Sequence, residues 1–478
     1  MRINDKQNTK IVATVGPASS SPAKLRELVV AGVDIFRLNF SHGNHSDHEK
    51  VIQRIQEINE EYKVNIGILA DLQGPKLRIG TMKNDEPVIL NEGDEIEFTN
   101  EKIEGTKERV YMSYSLFAQD VKVGEKVLVD DGKLVFEVLA TDNEKVVKLK
   151  TLFGGPLSSN KGVNLPDTDI SLPALTEKDR IDLDFILNFE VNWIALSFVR
   201  TASEIKELQR LIAEKNHPAK VISKIEKPEA IKNIKSIIKA SNAIMIARGD
   251  LGVEIPIEQV PVIQKQIIRR CIQRSRPVIV ATQMMESMIT NPSPTRAEAT
   301  DVANAVLDGA DAVMLSGETS VGKHPVQVVK AMNKIIFESE KAYQIHEKRP
   351  KPNSNSTTFL SDVICFNAAK TAEDIKAKAI AGLTVSGYTG FKVSSYRPSS
   401  KIFIFSNRKN ILGTLNLLWG VRGIYYDKFS STDETIDDII EILKERNQLE
   451  KDDVIVNVAS MPIEKKFRTN MLKITVVE

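Results

Sequence analysis

Short apolar runs recur along most of this chain, and each is followed by a stretch with helical periodicity. Eight of these runs are nearly continuous in apolar residues; they cover 11–15, 33–38, 64–69, 193–198, 221–225, 243–247, 277–281 and 312–315. Continuous apolar character is typical of parallel strands buried on both faces. Eight strand–helix units predict a (β/α)₈ barrel, an α/β fold whose active site lies at the carboxyl ends of the strands. Periodicity alone also allows an open sheet of six or seven strands.

A different pattern interrupts this repeat between 75 and 171. Its apolar runs are short and alternate with polar residues, and turn signals separate them. The Asp131-Gly132 pair lies between two such runs and predicts a β-hairpin. We therefore expect a small β domain inserted after the third barrel strand, so that the barrel domain comprises 1–74 and 172–347.

A segment rich in Pro, Asn and Ser at 348–357 is typical of a linker. Beyond it, apolar runs at 379–385, 401–405, 453–458 and 472–477 alternate with helical patterns. The segment 358–478 is therefore predicted to form a third domain of the α/β class. Three domains also agree with a length of 478 residues, at roughly 150 residues per domain.

The charge balance and the cysteine content exclude several classes of protein. The chain has 65 Lys and Arg against 64 Asp and Glu, a formal net charge of +1, which argues against a nucleic-acid or membrane-surface partner. No apolar stretch approaches the roughly 20 residues that cross a bilayer, and residues 1–10 lack the apolar core of a signal peptide. With only Cys271 and Cys365 available, a disulfide framework is excluded and a cytoplasmic location is expected.

Polar side chains cluster where six of the predicted barrel strands end. Lys224 and Glu226 are two residues apart on one strand, so both point to the same face. Inside an apolar barrel such charges are costly unless they pair with each other, as a structural ion pair, or serve a ligand. Glu226 and Asp250 come from adjacent strands, and two carboxylates with the other positions left to water and phosphate oxygens suit Mg²⁺. Gly249 beside Asp250 allows close backbone approach, which favours a ligand site over two solvated loop carboxylates.

Three cations near these carboxylates, Arg37, Arg78 and Lys224, are suited to neutralise phosphate groups. Arginine binds phosphate in a bidentate fork, whereas lysine acts as a point charge. Together with a magnesium site, the pattern predicts phosphoryl transfer.

Two other patterns are weaker. Residues 317–324 nearly match a phosphate-binding P-loop, but His324 occupies the position that requires a Ser or Thr hydroxyl. His42, His45 and His48 are spaced as possible metal ligands on a helix. Because Ser46-Asp47 is typical of a helix start, we expect His45 and His48 to be solvated rather than bound to a metal.

Several long blocks resemble the pyruvate kinase family. They comprise MIARGDLGVE at 245–254, ATQMMESMI at 281–289, PTRAE at 294–298, DVANAVLDGAD at 301–311, LSGET at 315–319, RLNFSHG at 37–43 and KGVNLP at 161–166. The resemblance implies transfer of phosphoryl from phosphoenolpyruvate to ADP, giving pyruvate and ATP in the last step of glycolysis. It also implies a barrel with an inserted small β-barrel lid at 75–171, a C-terminal regulatory domain and a homotetramer.

The same resemblance implies roles for individual residues. Glu226 and Asp250 would hold Mg²⁺, with Mn²⁺ as an alternative, and Lys224 would neutralise charge on the phosphoryl group in flight. The residues implied to bind phosphoenolpyruvate are Arg37, Lys224, Gly249, Asp250 and Thr282; those implied to bind the nucleotide are Asn39, His42, Arg78 and Lys161. Thr282, Ser316 and Glu318 would form the relay that protonates the enolate, although the sequence does not say which of them delivers the proton.

One position departs from family members that require K⁺. Where those members have Glu after Gly-Pro, this chain has Lys76 after Gly74-Pro75. The K⁺ ligands implied by the family are still present as Asn39, Ser41, Asp71 and the Leu72 carbonyl. We expect the Lys76 ammonium to replace the monovalent cation, so that activity requires Mg²⁺ but little or no K⁺.

The third domain contains a hydroxyl-rich turn at 384–390 that opens a helix. Such a turn suits a phosphate, and the family uses this loop for phosphorylated activators, so Thr384, Ser386 and Thr389 are candidate effector ligands. An ordinary capped helix start is an equally good interpretation. The final loop at 460–470 lacks the glycine-rich character often seen in family members that bind fructose bisphosphate, which leaves the effector open.

Two other functions compete with this prediction. An aldolase-like lyase on the same barrel would use Lys224 as a Schiff base, but Glu226 should keep that amine protonated. A non-enzymatic sensor of sugar phosphates would use the C-terminal loop and would leave the polar strand ends unexplained.

Overall fold

A computed structural model describes residues 7–342, 350–428, 431–461 and 468–478. The predicted end of the barrel domain at 347, the first two residues of the predicted linker and most of the final loop at 460–470 lie outside these segments. Within them, no helix is both long enough and apolar enough to cross a membrane.

The chain begins with the first three strand–helix units of the barrel. Its elements are β1 (Lys10–Thr14), α1 (Pro22–Ala31), β2 (Ile35–Asn39), α2 (His45–Tyr62) and β3 (Gly67–Asp71). Asn44 caps α2, because its side chain accepts a hydrogen bond from the Asp47 amide. The helix therefore starts just before the Ser46-Asp47 pair at which the sequence pattern placed it.

The insertion after β3 is built almost entirely of short strands. They are β4 (Val88–Leu90), β5 (Glu95–Thr99), β6 (Arg109–Tyr111), β7 (Lys126–Val129), β8 (Leu134–Thr141), β9 (Val146–Phe153), β10 (Gly155–Leu157) and β11 (Val163–Asn164), with one short helix, α3 (Phe117–Asp120). A six-stranded sheet runs in the order β11-β7-β8-β9-β5-β6, and β10 pairs with β4. Isolated bridges from Arg78 to Gly162 and from Ile79 to Met112 join one segment to both edges of the larger sheet. The sheet therefore curls around its own apolar core.

The predicted hairpin in this insertion is confirmed. β7 and β8 pair antiparallel, with Val129 opposite Leu134. The turn between them has three successive residues with positive φ, Asp130 at 55°, Asp131 at 57° and Gly132 at 83°. Aspartate and glycine tolerate this left-handed conformation better than most residues, which explains why the sequence signal was reliable.

The chain then returns to complete the barrel. The elements are α4 (Glu177–Ile186), β12 (Trp193–Leu196), α5 (Ala202–Glu214), β13 (Lys220–Ile225), α6 (Pro228–Lys232), α7 (Ile234–Ala240), β14 (Ala243–Ala247), α8 (Arg248–Glu254), α9 (Val260–Gln273), β15 (Val278–Ala281), α10 (Arg296–Leu307), β16 (Ala312–Leu315), α11 (Gly317–Ser320) and α12 (Pro325–Lys341). Within the near-P-loop stretch, the chain forms the short α11, and Pro325 then opens α12.

In the described segments, the eight predicted strands close into a parallel barrel in the order β1-β16-β15-β14-β13-β12-β3-β2. The closed barrel confirms the predicted fold and rules out the open sheet. Side chains such as Val12, Trp193 and Met245 fill the barrel interior, while the alternate residues pack against the surrounding helices. Burial on both faces explains the continuous apolar runs. The exact domain boundaries at 74–75 and 171–172 stay predictions.

The C-terminal part forms a second α/β layer. Its elements are α13 (Phe359–Asp374), β17 (Ala379–Leu383), α14 (Tyr388–Ser395), β18 (Lys401–Ser406), α15 (Lys409–Leu415), β19 (Val421–Tyr425), α16 (Thr432–Glu445), β20 (Val454–Ala459) and β21 (Met471–Val476). In the described residues the sheet order is β19-β18-β17-β20-β21, with only β21 antiparallel. The sequence pattern missed β19, because Arg422 and Gly423 interrupt its apolar run. Arg422 is nevertheless buried, and it donates hydrogen bonds to backbone carbonyls.

This C-terminal layer covers the amino-terminal face of the barrel. Arg397 forms a buried ion pair with Asp311, just before β16, at 2.9 Å. Lys10 at the start of β1 donates to the Val421 carbonyl, and Leu417 packs with the barrel core. The opposite face, at the carboxyl ends of the strands, therefore remains available for ligands beneath the inserted sheet.

Candidate active site at the carboxyl ends of the barrel strands

Lys224 lies at the centre of the polar cluster at this face. From β13 its ammonium lies 2.8 Å from both the Ser197 hydroxyl and Glu226 Oε1, and 3.5 Å from Asp71 Oδ1. The predicted approach of Lys224 and Glu226 is therefore present. Burial favours a lower pKa for Lys224, but the negative charges of Asp71, Glu226 and Asp250 outweigh it and raise the pKa above the ordinary lysine value. These carboxylates therefore favour the charged form of Lys224.

Arg37 is oriented by the same acidic residue that faces Lys224. Its Nε and Nη2 each lie 2.7 Å from Asp71 Oδ2, and its Nη1 donates to the Thr14 hydroxyl at 3.0 Å. Asp71 is only 1% exposed. Two neighbouring strand ends thus hold a fixed guanidinium beside the Lys224 ammonium, an arrangement suited to an anionic ligand.

Glu226 and Asp250 supply the carboxylates of the predicted metal site. Glu226 is buried, and its Oε2 accepts a hydrogen bond from the Phe198 amide at 2.6 Å. Burial, and to a smaller extent Asp250, raises the pKa of Glu226 to about 7 against the opposing effect of Lys224. A divalent cation beside these carboxylates would offset that effect and favour the ionised form of Glu226.

The donor set fits Mg²⁺. Both candidate ligands are carboxylates, and Glu226 Oε1 has an ion pair but no hydrogen bond. In the described segments no cluster of three or more His, Cys, Asp or Glu is placed to bind a metal. Magnesium commonly takes one or two carboxylates and fills its other positions with water and phosphate oxygens. A divalent ion here would therefore depend on substrate and water for most of its coordination.

Gly249 and Thr282 meet at the ends of adjacent strands. The Gly249 amide donates to Thr282 Oγ1 at 2.6 Å, and a Cβ at position 249 would lie only 3.3 Å from that oxygen. Thr282 and Gln283 both have positive φ, at 67° and 53°. Left-handed backbone at two successive residues that are not glycine is strained, and such strain is often found at functional sites.

Arg248 and Asp301, to which the sequence analysis gave no role, hold this strained turn in place. Arg248 donates to the Thr282 carbonyl at 2.9 Å and forms a bidentate pair with Asp301, at 2.7 and 2.6 Å. Arg248 lies in the block that resembles the family, but only the fold shows that it reaches across to the next strand.

Ser316 and Glu318 lie at the end of β16. Glu318 is buried and accepts hydrogen bonds from the Ser316 amide at 2.7 Å and the Met285 amide at 3.2 Å. Burial raises the pKa of Glu318. The Ser316 hydroxyl is buried and has no hydrogen bond with another described residue, so it is available to a ligand or a water molecule.

The predicted nucleotide residues surround the gap between barrel and insertion. Arg78 donates to the Asn160 carbonyl at 2.7 Å, and Lys161 pairs with Asp130 at 3.0 Å. Partial burial, followed by the charges of Lys76, Arg78 and Arg37, lowers the pKa of His42. These cations are therefore close enough to create a positive potential around His42, which suits an anionic ligand.

Two of the residues predicted for the monovalent-cation pocket contact the cluster around Lys224, Asp71 directly and Leu72 through Ser197. Asn39 Oδ1 accepts from the Ser41 amide at 3.2 Å, and the Leu72 carbonyl accepts from the Ser197 hydroxyl at 2.7 Å. Lys76 is exposed on the wall of a cleft that it shares with Asp250, and it forms no ion pair within the described part of the chain.

Two sequence expectations are changed by the structure. His45 is not simply solvated: it bonds to Asp182 at 2.8 Å and stacks on Phe185. His48 stacks on Phe40 in the same way. The aromatic partners come from separate elements, so the spacing of the histidines gave no sign of them.

The hydroxyls of the candidate effector turn have different environments. Thr384 Oγ1 accepts from the Gly387 amide at 3.0 Å, and the buried Thr389 hydroxyl lies 3.0 Å from that of Thr469. Ser386 is exposed. The turn is therefore braced locally, with one hydroxyl facing solvent.

Comparison with known proteins gives a consistent result. Family models described as "Pyruvate kinase, barrel domain" and "Pyruvate kinase, alpha/beta domain" match residues 6–329 and 362–475. Proteins named pyruvate kinase from Agrobacterium vitis and Corynebacterium efficiens are 43% and 42% identical, covering 99% and 98% of this chain and the same shares of their own lengths. A crystal structure of a pyruvate kinase from Cryptosporidium parvum superposes with a TM-score of 0.93 at 34% identity, covering 99% of this chain and 97% of that one.

Ser197 provides a direct test of the cluster around Lys224. Ser197→Ala removes the hydrogen bonds to Lys224 and Leu72, so we expect the free energy of unfolding to fall by about 1–3 kcal/mol, and catalytic activity to fall about ten-fold as Lys224 loses its position. Urea denaturation and steady-state assays measure the two effects. Ser223→Ala is the matched control, because it removes a buried hydroxyl that bonds to Ser241 instead. Equal activity in the two variants would contradict a positioning role for Ser197.

Proposed function

The chain belongs to the pyruvate kinase family, and we propose that the cluster around Lys224 transfers the phosphoryl group of phosphoenolpyruvate to ADP. The observation that carries this proposal is the Lys224 ammonium, which lies among carboxylates beside the oriented Arg37 at the carboxyl end of the barrel. The P–O bond of phosphoenolpyruvate breaks, a new P–O bond forms to the terminal phosphate of ADP, and the enolate of pyruvate remains.

Arg37 and Lys224 bind the phosphate end of phosphoenolpyruvate, and Lys224 neutralises charge on the phosphoryl group in flight. Thr282 and the backbone at Gly249–Asp250 bind the other end of the substrate. Phosphoryl transfer depends mainly on positioning and charge neutralisation. Arg37 and Lys224 are therefore each expected to lower the activation free energy by a few kcal/mol.

Glu226 and Asp250 hold a magnesium ion in this proposal. Glu226 and Asp250 would hold the ion, and it would supply positive charge that offsets the negative charge of the substrate phosphate. The raised pKa of Glu226 supports this assignment, since a cation at that position would favour its ionised form.

The nucleotide lies under the inserted sheet. Arg78, Asn39 and His42 meet its phosphates from the barrel side, and Lys161 reaches them from the lid. Partial burial lowers the pKa of His42 and the charges of Lys76, Arg78 and Arg37 lower it further; this local positive charge supports the arrangement.

The enolate must gain a proton at carbon to become pyruvate. Thr282, Ser316 and Glu318 form a hydroxyl–carboxyl relay for that step. Burial raises the pKa of Glu318 and so favours its proton-carrying form, and the unpartnered Ser316 hydroxyl is free to bind a water molecule.

We also propose a homotetramer and a phosphorylated effector at the 384–390 turn. Ser386 is exposed there, and Thr384 and the amide of Gly387 brace the turn.

A coupled assay tests the proposed reaction. Phosphoenolpyruvate, ADP and Mg²⁺ should yield pyruvate, detected by lactate dehydrogenase through NADH oxidation, and removal of Mg²⁺ with a chelator should abolish the signal. Failure to form pyruvate with any divalent or monovalent cation defeats the proposal. Borohydride with pyruvate separates the lyase alternative: a covalent label at Lys224 would support it, whereas a protonated Lys224 should stay unlabelled.

Activity is expected to be nearly independent of the monovalent cation. We infer that Lys76 supplies the positive charge of the monovalent-cation pocket and repels K⁺, so KCl at constant ionic strength should change kcat by less than two-fold. Lys76→Glu should make activity depend on K⁺. Lys122→Glu is the control, because it makes the same charge change on the exposed surface of the inserted sheet. Strong activation of the unmodified enzyme by K⁺, or no K⁺ response in Lys76→Glu, would refute the substitution.

A further inference from the structure

A second buried ion pair lies in the wall of the cleft and has no role in the reaction described above. Lys227 and Glu254 are each only 4% exposed, and their charged atoms are 2.9 Å apart. Lys227 follows β13, and Glu254 is the last residue of α8, so both belong to the barrel. They line the same cleft as Lys76 and Asp250.

Both members of the pair contact the inserted sheet. The Asn164 side chain, at the end of β11, donates to Glu254 Oε1 at 2.8 Å. The Lys227 ammonium also lies 3.4 Å from the Leu165 carbonyl. The pair therefore binds the Asn164 side chain and the Leu165 carbonyl, at the point where the insertion returns to the barrel.

Lys161 lies two residues before β11, the contacted strand. β11 pairs with β7, and the Asp130 amide at the end of β7 donates to the Gly162 carbonyl at 3.0 Å. Lys161 in turn pairs with Asp130. A shift of Asn164 would therefore be transmitted along a two-residue strand to Lys161.

A buried ion pair is an unusual choice for packing alone. Two buried charges are expensive to desolvate, and apolar residues of similar size often give equal or greater stability. Glu254 Oε2 is buried without a hydrogen bond from any described residue. What the pair provides that apolar residues cannot is directional bonding to Asn164 and Leu165.

We propose that Lys227 and Glu254 are positioning residues that fix the inserted sheet over the barrel, so that Lys161 meets the nucleotide. The inference rests on the proposed nucleotide role of Lys161. Arg200 holds the other end of the same connection through the Ile170 and Leu172 carbonyls. Of these two barrel-side anchors, the Lys227–Glu254 pair is the one that contacts β11, the strand that directly follows Lys161 in the chain.

Two variants of the full-length enzyme separate positioning from stability. Asn164→Ala breaks the contact to the insertion and leaves the ion pair intact. The double variant Lys227→Met/Glu254→Leu removes both charges at similar volume, so its thermal midpoint should stay near that of the unmodified enzyme. In both, we expect KM for ADP to rise about ten-fold, as for the loss of a charged hydrogen bond, with KM for phosphoenolpyruvate changed less than two-fold.

Two further variants serve as controls. Lys227→Arg keeps the charge and the hydrogen-bond donors, so KM for ADP should stay within about two-fold of that of the unmodified enzyme. Asp311→Asn removes a charge from the buried Arg397–Asp311 pair and should lower the thermal midpoint without changing KM for ADP. Hydrogen exchange at 160–166 should accelerate in Asn164→Ala and not in Asp311→Asn.

The outcomes distinguish this inference from the proposed function. If Lys161→Ala raises KM for ADP but Asn164→Ala and the double variant do not, the positioning role is overturned while the nucleotide role stands. If Lys161→Ala leaves KM for ADP unchanged, the nucleotide role fails and the inference fails with it. Parallel rises in both KM values would also overturn it, because they indicate general disruption of the cleft.

Discussion

The burial of Lys224 among carboxylates is the constraint on which the rest of the site depends. Its ammonium lies within 3.5 Å of the carboxylates of Asp71, at the end of β3, and Glu226, after β13. The charge of Asp250, after β14, also raises the pKa of Lys224. Such a cluster is stable only if each charge is compensated, which explains why Ser197 bonds Lys224 and why Arg37 bonds Asp71. A closed parallel barrel brings these strand ends together, so fold and charge arrangement require each other.

The two faces of the barrel have opposite roles. The C-terminal layer covers the amino-terminal face with apolar contacts and the buried Arg397–Asp311 pair. The inserted sheet approaches the other face through a few polar anchors, Lys227–Glu254 and Arg200 among them. A cleft bounded by charged anchors can exclude water while it keeps room for phosphate groups, which a sealed apolar interface cannot do.

Much of this was accessible from the sequence, because it depends on local periodicity. The two-residue period of a strand places Lys224 and Glu226 on one face, and continuous apolar runs indicate the buried strands. The failures share a different cause. β19 was hidden by Arg422, whose burial depends on partners far along the chain. Ser197, Arg248 and Lys227 gained their roles from contacts between separate strands, and the stacking of His45 on Phe185 likewise joins distant elements. Spacing along one element cannot reveal such contacts.

Single-turnover kinetics with Lys224→Met tests the proposal that the Lys224 charge acts on the phosphoryl group in flight. Calorimetric binding of phosphoenolpyruvate with Mg²⁺, and circular dichroism to check folding, accompany the rate measurement. Under this proposal, phosphoryl transfer should slow about a thousand-fold or more, while affinity for phosphoenolpyruvate falls less than ten-fold. Equal losses in affinity and rate, or a rate close to that of the unmodified enzyme, would contradict it.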